Sequence, residues 1–326
     1  MNLKIRTAVI GVGHLGRFHA QKYKSLETCE LIGVCDNLKE RSAQVANELN
    51  VESFSDPREL IGRVDAVTIA ANTSAHFELA KFFLQNNIHV NVEKPITSTS
   101  IEARELCELA NKKNLKLQVG HVERFNPALK AAKANLKSPL FIECHRLAPF
   151  KPRSLEVSVM LDLMIHDLDV ILSLVNRKVT SVSAVGTPVM TKTIDIANAR
   201  IEFENGAVAN VTASRVSQSA LRKFRVFQKD QYLSMDFGSG DVQLITKTGE
   251  FESSSSTIPF KSEAWNLEKG DALLEETRSF INSIINNTQC EVTGEDGLLA
   301  LELAEKIGHD IEKRLALNIN SFGRGL

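Results

Sequence analysis

Gly11-Val12-Gly13-His14-Leu15-Gly16 follows the apolar run Thr7-Ala8-Val9-Ile10, precedes a helix-compatible stretch, and stands twenty residues ahead of Asp36, which closes the next strand-like run. Each glycine answers a separate demand. The first permits the tight turn from strand to helix, the second lets the backbone approach a pyrophosphate, and the third lets helix and sheet pack closely. The phosphates then rest on a helix N-terminus, where unsatisfied N–H groups point outward. A six-residue glycine pattern alone recurs by chance; here strand, glycines, helix, second strand and terminal acid come in the required order. Gly11, Gly13, His14, Leu15, Gly16 and Asp36 therefore read as a dinucleotide site. An acid at the strand end hydrogen-bonds a ribose 2′-OH and repels a 2′-phosphate, which favours NAD over NADP. Arg41, five residues on, could accept a phosphate, but the acid should dominate.

Outward from this motif the pattern repeats. Strand-like runs at 4–10, 31–36, 66–70, 88–92 and 115–120 alternate with helix-like segments at 15–23, 39–49, 75–86 and 100–113, which predicts a doubly wound parallel sheet of Rossmann type. Thr73 or Ser74 can cap the third helix, and 98–100 supplies a capping oxygen for the fourth. Beyond His121 the pattern changes to α+β. A helix is expected over 160–175, and alternating strands over 141–147, 179–186, 197–203, 208–214, 223–228, 232–237 and 242–247 predict a large, open, mostly antiparallel sheet. Glu204-Asn205-Gly206-Ala207 reads as a hairpin turn, the serine run 253–256 as a surface loop, and 272–286 and 296–315 as two amphipathic helices. The domains are thus expected at 1–122 (dinucleotide binding) and 123–294.

At 326 residues the chain suits two domains rather than one core. Its 39 Lys and Arg against 40 Asp and Glu leave no electrostatic footprint for nucleic acid or an anionic membrane. The N-terminus runs straight into the first strand and no apolar stretch reaches the length of a membrane span, so the cytoplasm is the expected compartment. Five cysteines (29, 35, 107, 144, 290) without metal-ligand spacing read as reduced, buried thiols.

Two stretches carry chemistry. Glu93-Lys94-Pro95 lies at the carboxyl end of a predicted parallel strand, where open α/β sheets bind ligands. A lysine there can hydrogen-bond a substrate hydroxyl or take part in proton transfer, although a surface lysine beside a proline turn fits the tripeptide equally well. In Asp162-Leu163-Met164-Ile165-His166-Asp167-Leu168-Asp169, Asp162 and His166 are four apart and share a helical face. A carboxylate one turn from a histidine can fix its tautomer and stabilise its charged form. A helix-surface pair without a role fits the spacing too, as does a metal set of Asp162, His166 and Asp169, though no second His or Cys cluster accompanies it.

Together the glycine fingerprint, the strand-end Glu-Lys-Pro and the Asp-x-x-x-His helix resemble the glucose-fructose oxidoreductase/inositol dehydrogenase/rhizopine-catabolism (Gfo/Idh/MocA) oxidoreductases over almost the whole chain. The resemblance implies that Lys94, Asp162 and His166 line the substrate site beside the nicotinamide as catalytic residues, His166 as acid/base, with no metal. It implies cofactor contacts from Glu93 and Lys94 and from the loop Asn72, Thr73 and His76, where Asn72 replaces a common proline. It also implies that 123–294 binds substrate and builds a homo-oligomer, dimer or tetramer, on its sheet, and that the final helix, 295–326, packs back on the first domain. The segments 120–127, 145–153 and 161–170 are similar to a branch acting on UDP-linked amino sugars, which points to oxidation at C3 of UDP-N-acetylglucosamine ahead of an aminotransferase in lipid A synthesis. Arg124, Lys151 and Arg153 would supply the cations a diphosphate needs, although a solvated basic loop fits as well. The same residues are compatible with dehydrogenation of a free polyol such as an inositol, with an NAD-dependent glycoside hydrolase, and with a dinucleotide-binding regulator that performs no chemistry.

Overall fold

In the computed structural model, which describes residues 4–152, 157–250, 259–268 and 270–322, the chain runs β1 (Ile5–Ile10), α1 (His14–Ser25), β2 (Cys29–Cys35), α2 (Lys39–Leu49), β3 (Glu52–Phe54), β4 (Ala66–Ile69), α3 (Thr73–Gln85), β5 (His89–Glu93), α4 (Ser100–Lys113) and β6 (Leu117–Gly120). It continues through α5 (Pro127–Ala132), β7 (Phe141–Leu147), a π-helical turn at Met160–Met164, α6 (Ile165–Val175), β8 (Val179–Thr187), β9 (Ile196–Phe203), β10 (Val208–Ser214), β11 (Leu221–Gln228), β12 (Gln231–Asp236), β13 (Asp241–Lys247), β14 (Phe260–Asn266), α7 (Ala272–Ile285) and α8 (Gly294–Phe322). Two compact units result: Met1–Val122 with Asp271–Leu301, and Glu123–Gly270 with Glu302–Leu326.

The first unit is a six-stranded parallel sheet in the order β3-β2-β1-β4-β5-β6, the doubly wound arrangement whose strand order reverses between β1 and β4. Helix α1 buries Gly16, His19, Ala20 and Tyr23, a one-faced spacing that lays it on the sheet. Helix α4 starts in a capping box between Thr99 and Glu102, inside the segment where a capping oxygen was expected. Helix α3 starts two residues earlier than expected, with Asn72 at its N-cap. Helix α7 places Phe280 and Ile281 in one core with Ala20, Tyr23, Val9 and Val34. This is why 271–294, expected in the second domain, belong to the first unit.

The second unit is built on an eight-stranded sheet, β14-β13-β12-β11-β7-β10-β9-β8. Every pairing is antiparallel except β7 with β10. The β9–β10 hairpin turns at Gly206, where φ is +81°, a conformation glycine adopts without penalty. Alternate residues such as Ile142, Cys144, Val211, Phe224 and Leu233 enter a core with Met164, Leu168 and Ile171. From residue 302 onward α8 belongs here, because Leu303, Ala304, Ile307 and Ile311 join that core. The expected return of 295–326 to the first domain therefore holds no further than Leu301. The helix expected over 160–175 is likewise not uniform, since its first turn is π-helical. The serine run 253–256 lies outside the described residues. All five cysteines are buried free thiols, and burial pushes Cys29 up to about 11 and Cys107 up to about 12. Among the described residues no helix is long and apolar enough to cross a membrane.

Candidate active site

The glycine turn meets the steric demands one glycine at a time. Gly11 has φ +81° and its α-carbon faces the Ala71 backbone, which an added Cβ would meet at 2.7 Å. A Cβ on Gly16 would stand 1.8 Å from the Gly11 carbonyl oxygen, so the close approach of α1 to β1 depends on its absence. Gly13 differs: nothing lies within 4 Å of the position its Cβ would take. It is the N-cap of α1, no side chain caps that end, and His14 and Leu15 are exposed there. Open space next to uncapped N–H groups is what an anionic bridge requires, so these residues fit the pyrophosphate of a dinucleotide.

Asp36 lies directly after β2. Its Oδ2 accepts from the Val12 N–H at 2.9 Å and its Oδ1 from the Leu38 N–H at 2.9 Å, which ties the carboxylate to the glycine turn. Arg41 reaches Oδ2 only at 3.4 Å and is half-exposed. The fixed carboxylate can still accept from ribose hydroxyls through its remaining lone pairs.

On the same sheet edge, Lys94 is half-buried at the end of β5, followed by a cis peptide bond to Pro95. Glu93 and His76, expected at the cofactor, face inward instead. Glu93 Oε1 contacts His19 Nε2 at 2.8 Å and its Oε2 accepts from the Lys94 N–H at 3.2 Å. His76 is buried between the carbonyl oxygens of Pro95, at 2.9 Å from Nδ1, and Ala71, at 3.0 Å from Nε2. Burial lowers its pKa, and a neutral ring donates to one of those carbonyls at a time. Both residues therefore brace loops at the sheet edge, while Asn72 is exposed and Thr73 half-buried. The signal for this was in the sequence: Thr68, Asn91 and Gln118 are cross-strand neighbours on β4, β5 and β6, a polar row inside strands that are otherwise apolar.

In the second unit Asp162 lies in the π-helical turn and His166 in the first turn of α6, both half-buried. A π-turn with its i→i+5 bonding is rare and frequent at functional sites. The residues flanking His166 on the chain are anchored. Arg146 on β7 makes a two-pronged contact with Asp167, at 2.9 Å and 2.8 Å, and a third with Glu123 at 2.9 Å. All three side chains are at most 6 % exposed. Burial opposes the Arg146 charge, but the two carboxylates outweigh it and raise its pKa. Arg124 Nε holds Asp169 Oδ2 at 2.8 Å. Arg124, expected to meet a diphosphate, thus serves the helix that carries His166, and Asp169 is engaged by that arginine rather than joined to a metal set. Lys151 is exposed on the loop after β7; Arg153 lies outside the described residues. Sequence reasoning missed the Arg146 cluster, although strand alternation with Ile142 and Cys144 puts Arg146 on the apolar face of β7, where a charge must find partners.

Comparison with known proteins agrees with this geometry. Residues 5–121 match the family described as an oxidoreductase family with an NAD-binding Rossmann fold, and residues 141–233 match the GFO/IDH/MocA C-terminal domain. UDP-N-acetylglucosamine 3-dehydrogenase of Acidithiobacillus ferrooxidans is 39% identical over 315 residues, covering 95% of this chain and 98% of that protein. A solved structure of that enzyme superposes with a TM-score of 0.88 over 95% of this chain and 99% of the other. The scyllo-inositol 2-dehydrogenase (NAD(+)) of Bacillus subtilis is 33% identical over 236 residues, 67% of this chain and 69% of that protein. Scyllo-inositol dehydrogenase from Lactobacillus casei, solved with NAD(H) and scyllo-inositol, shares the fold with a TM-score of 0.79 at 20% identity, over 95% of this chain and 98% of the other. The chain belongs to the Gfo/Idh/MocA oxidoreductases, and its first unit is an NAD-binding Rossmann fold.

Proposed function

We propose that this protein oxidises the C3 hydroxyl of UDP-N-acetylglucosamine, giving the 3-keto nucleotide sugar. The similarity to UDP-N-acetylglucosamine 3-dehydrogenase, 39% over 95% of the chain, carries the choice of substrate. Bound at the glycine turn, NAD supplies the hydride acceptor. His166 takes the hydroxyl proton as the C3–H bond breaks and the carbonyl forms, and Asp162 orients the ring and stabilises the charge it gains. Lys94 donates a hydrogen bond to the reacting oxygen, which fixes the C3–H toward the nicotinamide. Lys151 and Arg153 serve the diphosphate. The anchoring of Asp167 and Asp169 supports the role of His166, because a base must be held on a rigid element to act at a fixed distance.

The ketone at C3 is the substrate an aminotransferase needs to make a 2,3-diamino sugar, and lipid A synthesis in the cytoplasm is the setting we assign. Copies of the chain associate through the second-unit sheet. Half-buried Phe141, Phe227 and Tyr232 pack as tilted ring pairs, with centroids 5.5 Å and 4.9 Å apart, on the strand positions opposite the core, which supports that assembly.

A second reading, oxidation of a free cyclic polyol, is favoured by the 33% identity to the scyllo-inositol enzyme. Purified protein is incubated with NAD and a panel of nucleotide sugars and free polyols, following reduced cofactor and, where oxidation is unfavourable, drawing off the ketone with an aminotransferase. UDP-N-acetylglucosamine is expected to give the highest kcat/KM. Preference for an inositol selects the second reading, and silence across the whole panel leaves a dinucleotide-binding regulator.

A further inference from the structure

Directly beneath Lys94, within the first unit, lies a buried group that the proposed chemistry does not use. Candidate ligand atoms of His19 on α1, Glu93 on β5 and Glu276 on α7 all lie within 4.8 Å of one another, and His19 and Glu276 are fully buried. Glu276 Oε1 meets the Asn91 amide at a long 3.4 Å, and its Oε2 and His19 Nδ1 have no hydrogen-bond partner. Gly120 makes room for this arrangement, since a Cβ there would come 3.1 Å from the Glu93 carboxylate. A charge on α7 four residues before Phe280, on the face that packs in the core, is not needed for folding and works against it.

We propose that His19 and Glu276 are positioning residues for Lys94: His19 clamps the Glu93 carboxylate, that carboxylate holds the Lys94 backbone N–H, and Glu276 closes the pocket behind them as a neutral acid. This rests on the assignment of Lys94 to the reacting hydroxyl. Two carboxylates this close in a dry site cannot both be ionised without a second cation. Burial raises Glu276 to about 8, whereas Glu93 is brought below its usual range because the hydrogen bond and charge of His19 outweigh its burial. His19 is correspondingly raised, Glu93 outweighing the cost of burying the ring. The other titratable groups facing the cluster are Lys94, His76 on α3 and Tyr23 on α1, with Cys29 on β2 next to Tyr23. Tyr23 and Cys29 are both pushed further from ionisation by burial, so neither adds a charge to the cluster.

A folded pKa above the unfolded one means that the folded protein holds the extra proton, so stability falls as pH rises from about 4.5 through 8. Glu276→Gln, which copies the neutral acid, removes that slope.

The test measures kcat and KM with NAD and UDP-N-acetylglucosamine, NAD affinity by calorimetry, and unfolding temperature against pH, for His19→Ala, His19→Gln, Glu276→Gln and Lys94→Ala. His19→Ala is expected to lose about a hundredfold in kcat, the scale of an ångström of misplacement, with NAD affinity within about twofold. His19→Gln restores an N–H donor and recovers most of the loss, while Glu276→Gln melts further above wild type at pH 9 than at pH 6. A slow Lys94→Ala beside a normal His19→Ala overturns this inference alone. A normal Lys94→Ala removes the reading beneath it and the inference as well. Equal losses in both His19 variants, or a stoichiometric divalent ion in the purified protein that binds through Glu276, also overturn it.

Discussion

Adding one methyl group at Gly13 separates cofactor binding from folding. Gly13 sits at φ −66°, which any residue adopts, and its Cβ would meet nothing within 4 Å. Relative to glycine, alanine there stabilises by about 0.4–1 kcal/mol through the unfolded chain. It is a poorer N-cap, which costs a similar ~0.5–1 kcal/mol. The two nearly cancel, so Gly13→Ala should melt within a few degrees of wild type. The methyl group, however, occupies the space in front of the uncapped N–H groups of α1. Displacing the pyrophosphate from a single charge-assisted hydrogen bond costs about 1.5–3 kcal/mol, roughly ten- to a hundredfold or slightly more in Kd. Gly16→Ala is the control, because its Cβ at 1.8 Å from the Gly11 carbonyl forces α1 off the sheet and should lower stability itself. Calorimetric titration with NAD and thermal unfolding read the two effects separately. Unchanged NAD affinity in a well-folded Gly13→Ala would refute the assignment of that space to the pyrophosphate.

Three further outcomes are expected. His166→Ala and Lys94→Ala should each lower kcat by about 10² to 10⁴ with NAD affinity nearly unchanged, and near-normal turnover in steady-state assays would remove that residue from the mechanism. Arg146→Met leaves Asp167 buried without its cation and Glu123 with only Arg222 at 3.5 Å, which should destabilise by about 3–5 kcal/mol. Asp167, already raised by burial, then titrates further above its unfolded value, so the folded variant binds the extra proton and its deficit should be smaller at pH 5 than at pH 8; an equal deficit at both in denaturant unfolding would contradict the cluster's charge. Asp36→Asn removes the charge that repels a 2′-phosphate and should narrow the preference for NAD over NADP by at least about tenfold, ~1.4 kcal/mol, and an unaltered ratio of kcat/KM values would show that Asp36 does not read the ribose.

The first sheet was legible because parallel strands buried on both faces are short apolar runs, and because glycine, capping and strand-end acid signals are local. Helices 39–49 and 100–113 were read to the residue. Strand β3, three residues long, carries too little pattern to be seen, and β14 follows a serine-rich stretch that hides its start. The π-helical turn at Met160–Met164 was not legible, since its sequence is as apolar as an α-helix. At the proposed site, Lys94, Asp162 and His166 were candidates from motif, spacing and family resemblance. Which acids and cations hold each other could not, because Arg124 with Asp169 and His19 with Glu93 are partners separated by 45 and 74 positions. A charged residue at a core position announces a partner without saying which one.

In the proposed reaction hydride leaves C3 of the sugar for NAD. UDP-N-acetylglucosamine carrying deuterium at C3 is incubated with the protein, NAD and an aminotransferase to draw off the ketone, and the reduced cofactor is examined by mass spectrometry and proton NMR. One deuterium on the nicotinamide ring and a slower reaction than with the protiated sugar are expected; reduced cofactor without deuterium would contradict the proposed transfer.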